Sequence, residues 1–310
     1  MGSLVKSFGI IGLSEGNGHP FSYGSIINGY SLEGLLASGW PGIYEYVRRR
    51  HASEFGLDGW RITHAWTQDP ESTKKLCAAC SIPQGVGDYL EFLGKVDAVI
   101  IARDDYETHF QIARPFLEAG LPVFIDKPLS VDISELRAFK PYLEKGQLMS
   151  CSGMRYAREL DELRADLAAY GQLKLIRGAI VLSWEKYGVH LLEAILAIIP
   201  VRPVSVRMLP AEHASAVVRL DDGVLIQIDS LGECSRTFHV ELFGTQRTGA
   251  FDITDNFSML RRMLWEFAQS IRTGRPAIPP ERTLEIMRVL IAGRMARNEN
   301  REVLLDEIKL

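Results

Sequence analysis

Three short stretches of the chain carry residue types that could do chemistry. "LSEGNGHPFSYGS" at 13–25 follows an apolar run and is studded with glycine. "IDKPLS" at 125–130 sets Lys127 directly behind another apolar run. "WEKYGVHLLE" at 184–193 gathers Lys186, Tyr187, His190 and Glu193. Glycines spaced G-x-G-x-x-G between a strand and a helix let backbone amides approach a pyrophosphate. Here Gly12 can serve as the first, Ser14 replaces the second and Asn17 stands at the third. Gly16 and Gly18 come shifted by an insertion. A helix starting near Pro20, which suits the first helical position, would offer its N–H groups to an anion. Glu15 puts a carboxylate where phosphate should lie, so it must turn to solvent or pair with His19. Thr67 replaces the acidic residue that would grip a ribose 2′-hydroxyl, which weakens the case for NAD and leaves NADP, or unusual binding, open.

The elements that must position these residues are legible from pattern. "FGIIGL", "RITHAW", "VDAVIIA" and "PVFID" are apolar runs of strand length separated by helical patterns, the signature of a parallel sheet with crossover helices. Asp69 reads as an N-cap before Pro70 at N1. Phe110, Ala113 and Leu117 mark one helix face, and Gly120 stops that helix. Asp132 and Glu135 stand in capping-box relation. The second half changes texture: "KLIRGAIV", "PVSVRML", "ASAVVRL", "VLIQIDS" and "FHVELFG" are strand-like runs, with "DDG" at 221–223 as a hairpin turn. They predict a mostly antiparallel sheet covered on one face by helices over 155–169 and 187–199, with two further helical patterns near the end of the chain. About 35 residues between "SYGS" and "RITHAW" exceed what a crossover needs. This insert, about 28–60, carries Tyr30, Trp40, Tyr44, Tyr46, Phe55 and Trp60, and it reads as a satellite core rather than a lid.

Bulk properties narrow the class. The 310 residues favour two domains, and 46% apolar with 24% charged residues is ordinary for a globular protein. A net charge of −4 leaves no broad basic footprint for nucleic acid. The run "RRRH" at 48–51 reads as a solvated helix end. The longest apolar run, "VHLLEAILAIIPV", is too short to span a membrane and is interrupted by His190 and Glu193. With no signal-peptide pattern and four cysteines, a cytoplasmic protein without a disulfide scaffold is expected. "CAAC" at 77–80 reads as two half-buried helix positions rather than a metal or redox site, and no metal is expected.

The segment "AGLPVFIDKPLS", followed by a domain that opens with "YGVHLLEAI", resembles the Gfo/Idh/MocA family, which includes glucose-fructose oxidoreductase and inositol dehydrogenase. The similarity runs from Phe8 to the last helix. It rests on the glycine loop, an (E/D)KP tripeptide that is intact here, and a downstream D-x-x-x-H. The resemblance implies a Rossmann-like α/β cofactor domain over 1–128 and an α+β substrate and oligomerisation domain over 129–310. A site in the cleft between them would follow. It implies NAD or NADP, with Gly12, Ser14, Gly16, Asn17, Gly18, Thr67, Arg103, Asp126 and Lys127 at the cofactor. It also implies a cytoplasmic homodimer or homotetramer.

By the same resemblance Lys127 lies beside the nicotinamide and hydrogen-bonds the oxygen being oxidised or reduced, where alkoxide character develops. His190 would be the general acid or base. Glu193, on the same helical face, could orient its ring. The chain departs from the family at residue 186, where lysine replaces the usual aspartate. Glu185 would point about 100° away on a helix. Lys186 could act as a base beside Lys127, or bind an anionic group of the substrate, and the second role is favoured. Tyr187, Tyr156 and Arg155 are further candidates for proton transfer or substrate contact. The implied activity is oxidation or reduction at a CH–OH group of a sugar or sugar derivative, suited to bacterial surface-carbohydrate synthesis. The alternatives are a lyase, epimerase or glycosidase that recycles bound cofactor, and a non-catalytic sugar-binding protein.

Overall fold

The computed structural model describes residues 6–310. Its chain divides into two compact units. The first comprises the residues up to Leu129 together with Ala138–Cys151 and Leu260–Pro280. The second comprises Ser130–Arg137, Ser152–Met259 and Glu281–Leu310. The division is therefore finer than one cut near residue 128. After Lys127 the chain enters the second unit, returns for one more strand, and later sends part of a long helix back. Aromatic packing explains the last return: Phe267 lies 5.8 Å from the ring of Phe8 and 5.7 Å from that of Phe124.

The first unit holds six parallel strands: β1 (Lys6–Ile11), β2 (Trp60–Trp66), β3 (Gln84–Gly85), β4 (Ala98–Ile101), β5 (Val123–Ile125) and β6 (Leu148–Ser150). Their order is β3-β2-β1-β4-β5-β6, a doubly wound sheet whose winding reverses between β1 and β4. Central strands covered on both faces must be apolar throughout, and Ile10, Ile11, Val99, Ile100, Phe124 and Ile125 are fully buried. β3 and β6, two and three residues long, are too short to leave a pattern in the sequence.

Local signals hold where they are strong. Asp69 caps the helix Pro70–Ala79 by accepting from the N–H groups of Glu71 and Ser72. Gly120, at φ +83°, ends the helix His109–Glu118. Asp132 accepts from Glu135 N, but the Glu135 carboxylate takes the Ser130 hydroxyl instead of closing a capping box. The insert packs as a satellite core: Trp40 lies against Phe21, Tyr46 donates to Ser22 Oγ at 2.5 Å, and Tyr30 lies against Phe55.

The second unit holds a seven-stranded sheet: β7 (Leu173–Ile180), β8 (Pro203–Leu209), β9 (Ala214–Leu220), β10 (Leu225–Ser230), β11 (Phe238–Gly244), β12 (Thr248–Asp252) and β13 (Val303–Leu304). The order is β12-β11-β7-β10-β9-β8-β13, and only the β7/β10 pair is parallel. One face is covered by the helix Val189–Leu196, close enough that a Cβ on Gly178 would stand 2.8 Å from Leu191. Among the described residues no helix is long and apolar enough to cross a membrane.

Candidate functional site

The loops leaving the carboxyl ends of β1, β2, β4 and β5 are tied together by side chains. Asp126, 1% exposed, accepts from Asn17 Nδ2 at 3.0 Å and from the Tyr23 hydroxyl at 3.3 Å, and it pairs with His19. Burial alone would raise its pKa, but His19, Lys127 and Asn17 hold it well below the usual carboxylate range. Ser14 Oγ donates to Asp104 Oδ1 at 2.6 Å and accepts the Asp104 N–H at 3.1 Å. Lys127, 3% exposed, directs Nζ toward Asp104 Oδ2 at 3.5 Å. Gln68 exchanges two 2.9 Å hydrogen bonds with the Leu13 backbone and accepts from Arg103, which also clamps Asp105. His109 bridges the Arg103 and Leu129 carbonyls. Four of the predicted cofactor residues, Ser14, Asn17, Asp126 and Lys127, thus meet at one end of the sheet. The sequence reading missed Asp104, Gln68 and His109, whose partners lie on other loops.

The glycine loop differs from its expected use. The helix starts at His19, with Gly18 as N-cap and Pro20 one position later than predicted. Its first-turn donors are already committed: the His19 N–H goes to Asn17 Oδ1, Pro20 has none, and the Phe21 N–H goes to Gly18 O. The anion site expected at this helix start is therefore satisfied by the protein itself. A Cβ at Gly12 would meet Pro20 Cγ at 2.3 Å, and one at Gly18 would meet the Trp40 ring at 2.6 Å. These glycines permit close packing of strand, helix and insert, while Gly16 supplies the turn at φ +74°. Glu15 is exposed, and His19 serves Asp126 instead of relieving it.

Room for a ligand lies at the ends of β2 and β3. A cavity of about 440 Å³ is lined by Trp66, Thr67, Gln68, Lys74, Gly85 and Gly87 among others. No carboxylate is among its lining residues. Thr67 contributes surface but no free polar group, because its hydroxyl donates to Asp69 O at 2.7 Å and its N–H to Thr73 Oγ1 at 2.9 Å. This open wall, whose one charged lining residue is Lys74, fits the adenosine part of a dinucleotide at the place where doubly wound sheets bind one. Nearby, burial pushes the Cys77 thiol up to about 11 and that of Cys80 up to about 12, so both stay protonated at neutral pH.

In the second unit the predicted group separates. Trp184–Gly188 is a π turn leading into the helix Val189–Leu196, anchored by the fully buried Trp184, whose Nε1 donates to Leu290 O at 3.3 Å. A π turn breaks the four-residue register that would align residue 186 with His190. Tyr187 lies against His190 and stacks on Phe238 of β11. Lys186 is exposed and lines a different cavity, at the ends of β9 and β10. Glu185 pairs with Arg297 and does not replace the missing aspartate.

Two expected contacts are corrected. His190 Nδ1 is held by Ser152 Oγ at 2.6 Å, not by Glu193. Glu193 instead forms a buried ion pair with Arg155 at 2.6 Å, so Arg155 supports the fold and is not presented to a substrate. Tyr156 is half-buried two residues from Arg158.

Residues 43–153 match the family model described as an oxidoreductase family with an NAD-binding Rossmann fold. A putative UDP-kanosamine synthase oxidoreductase subunit of Amycolatopsis mediterranei is 25% identical over 153 residues, 48% of this chain and 40% of that protein. The match thus spans under half of that relative. Among solved structures, apo scyllo-inositol dehydrogenase from Lactobacillus casei superposes with a TM-score of 0.77 at 15% identity, covering 99% of this chain and 100% of that one. A myo-inositol 2-dehydrogenase from Lactobacillus plantarum gives 0.74 at 14% identity, covering 96% and 99%. At such identities the likeness is one of fold.

Proposed function

We propose that the chain, whose residues 43–153 match the Gfo/Idh/MocA oxidoreductase family, is a nicotinamide-dependent dehydrogenase acting on a CH–OH group of a sugar or polyol. The observation that carries this reading is the buried Lys127 at the carboxyl end of β5, tied to the β1 and β4 loops through Asp104 and Asp126. The name of the kanosamine-related relative, and those of the inositol dehydrogenases sharing the fold, support a sugar-like substrate.

The bound nicotinamide would supply or accept the hydride. Thr67, Gln68 and Gly87 would surround its adenosine part, and the absence of a lining carboxylate removes the repulsion that excludes a 2′-phosphate, so NADP is admitted alongside NAD. The Lys127 ammonium would donate to the substrate oxygen and stabilise its alkoxide character, with Asp104 keeping the amine in place. In the second unit Ser152 would orient the His190 ring through Nδ1 for its role as proton donor or acceptor.

Incubation with NAD or NADP and a panel of inositols, hexoses and amino sugars should produce reduced-nicotinamide absorbance with at least one member. If coenzyme binds but no panel member reduces it in either direction, the dehydrogenase reading fails.

A further inference from the structure

The cavity that Lys186 lines belongs wholly to the second unit and measures about 510 Å³. Three features set it apart from an ordinary surface dent. Ser230, 2% exposed, contributes to its lining, and its hydroxyl is buried without a hydrogen-bond partner. A buried orphan hydroxyl carries an uncompensated desolvation cost and calls for a ligand or water to satisfy it.

Leu182, a second lining residue, is held at φ +62°, a conformation leucine rarely adopts, by a two-way backbone bridge to Gly232. Its side chain remains 39% exposed beside Leu231, forming an apolar wall. Strain of this kind persists where surrounding structure imposes it, and such positions cluster at ligand clamps.

The third feature is charge. Lys186, Glu212 and Glu233 all line the cavity, and none has an ion-pair partner among the described residues. The other charged pair at this edge is already closed: His213 Nε2 meets Asp229 Oδ1 at 3.0 Å. Burial alone would raise Asp229, but hydrogen bonds from Ser215, His213 and Gln227 hold it low. One ammonium and two carboxylates are therefore left open around one space. An anion would meet two like charges and a cation one, whereas a ligand bearing both charges meets a partner for each.

We propose that this cavity binds a small zwitterion, a hydroxylated carbon chain or ring bearing a carboxylate and an ammonium, in the manner of an amino-sugar acid. Lys186 takes the carboxylate, Glu212 and Glu233 take the ammonium, Ser230 bonds a hydroxyl, and the two leucines cover the carbon skeleton. The proposal uses the second unit alone and needs no nicotinamide. A titration without coenzyme therefore tests it separately from the dehydrogenase reading.

The test is calorimetric titration of the full chain with glucosaminate, glucuronate and glucosamine. Glucosaminate should bind saturably and at least tenfold more tightly than either singly charged probe. Lys186→Met should weaken glucosaminate to the level of glucosamine, and Glu212→Gln with Glu233→Gln should weaken it to the level of glucuronate. Ser230→Ala, which removes the orphan hydroxyl and should keep or raise the melting temperature, should weaken binding several-fold. Equal affinity for glucuronate and glucosaminate, no saturable binding of any probe, or indifference to Lys186→Met would each overturn the assignment.

Discussion

Replacing Lys127 with methionine should lower kcat by about 10²–10³ while leaving coenzyme affinity within a few-fold of the parent, the loss typical of removing one donor from a developing oxyanion. Methionine keeps much of the side-chain volume in a site that is 3% exposed, so the fold should persist. The variant also leaves Asp104 Oδ2 without its ammonium, while the Ser14 hydroxyl still holds the other oxygen at 2.6 Å. Steady-state kinetics with the best panel substrate separate the outcomes. A fall in kcat with modest change in KM assigns Lys127 to the reacting oxygen. A rise in KM alone would make it a binding residue only.

Replacing Arg155 with alanine should cost about 3–5 kcal/mol of stability near neutral pH, because it strands the Glu193 carboxylate, 1% exposed, without its partner. Burial raises the Glu193 pKa, and Arg155 opposes that rise. The sign of the pH dependence follows. A carboxyl whose folded pKa lies above its unfolded value favours the folded state when protonated, and that contribution is lost as pH rises through the folded pKa. Without Arg155 the folded value moves further up. The deficit of the variant should therefore be small below the ordinary carboxylate range near about pH 4 and grow above it. Urea unfolding at several pH values checks this. The double replacement Arg155→Met with Glu193→Leu should recover most of the loss, since a buried ion pair exchanged for apolar groups is often neutral. A deficit under about 1 kcal/mol at neutral pH would contradict a buried, uncompensated charge.

The same pair shows what the sequence could and could not disclose. Caps and turns whose signals sit within four residues were readable: Asp69 before Pro70, Gly120 after its helix, and Gly223 at the β9–β10 hairpin, where φ is +87°. Long apolar strands were readable too, and with them both sheets. Lys127 was legible because its tripeptide follows a strand. Pairings between distant residues carry no such local mark. Arg155 and Glu193 are 38 positions apart, as are Ser152 and His190, while Asn17 and Asp126 are 109 apart. A glycine loop reads alike whether its glycines face a phosphate or its own proline and tryptophan, and only the close approaches at Gly12 and Gly18 distinguish the two. The π turn at Trp184–Gly188 had no signature either, and it is what turns Lys186 toward β9 and β10 while Tyr187 stacks on Phe238 of β11.

The central claim is that the first unit, with its own helix start satisfied, still holds a nicotinamide dinucleotide against the loops that carry Ser14, Gln68 and Lys127. Titrating the purified chain with NADH and with NADPH, followed by nicotinamide fluorescence, tests it most directly. Saturable binding of at least one coenzyme, competed by its oxidised form and accompanied by a raised melting temperature, is the predicted result. A flat titration with both, and an unmoved melting temperature, would contradict it.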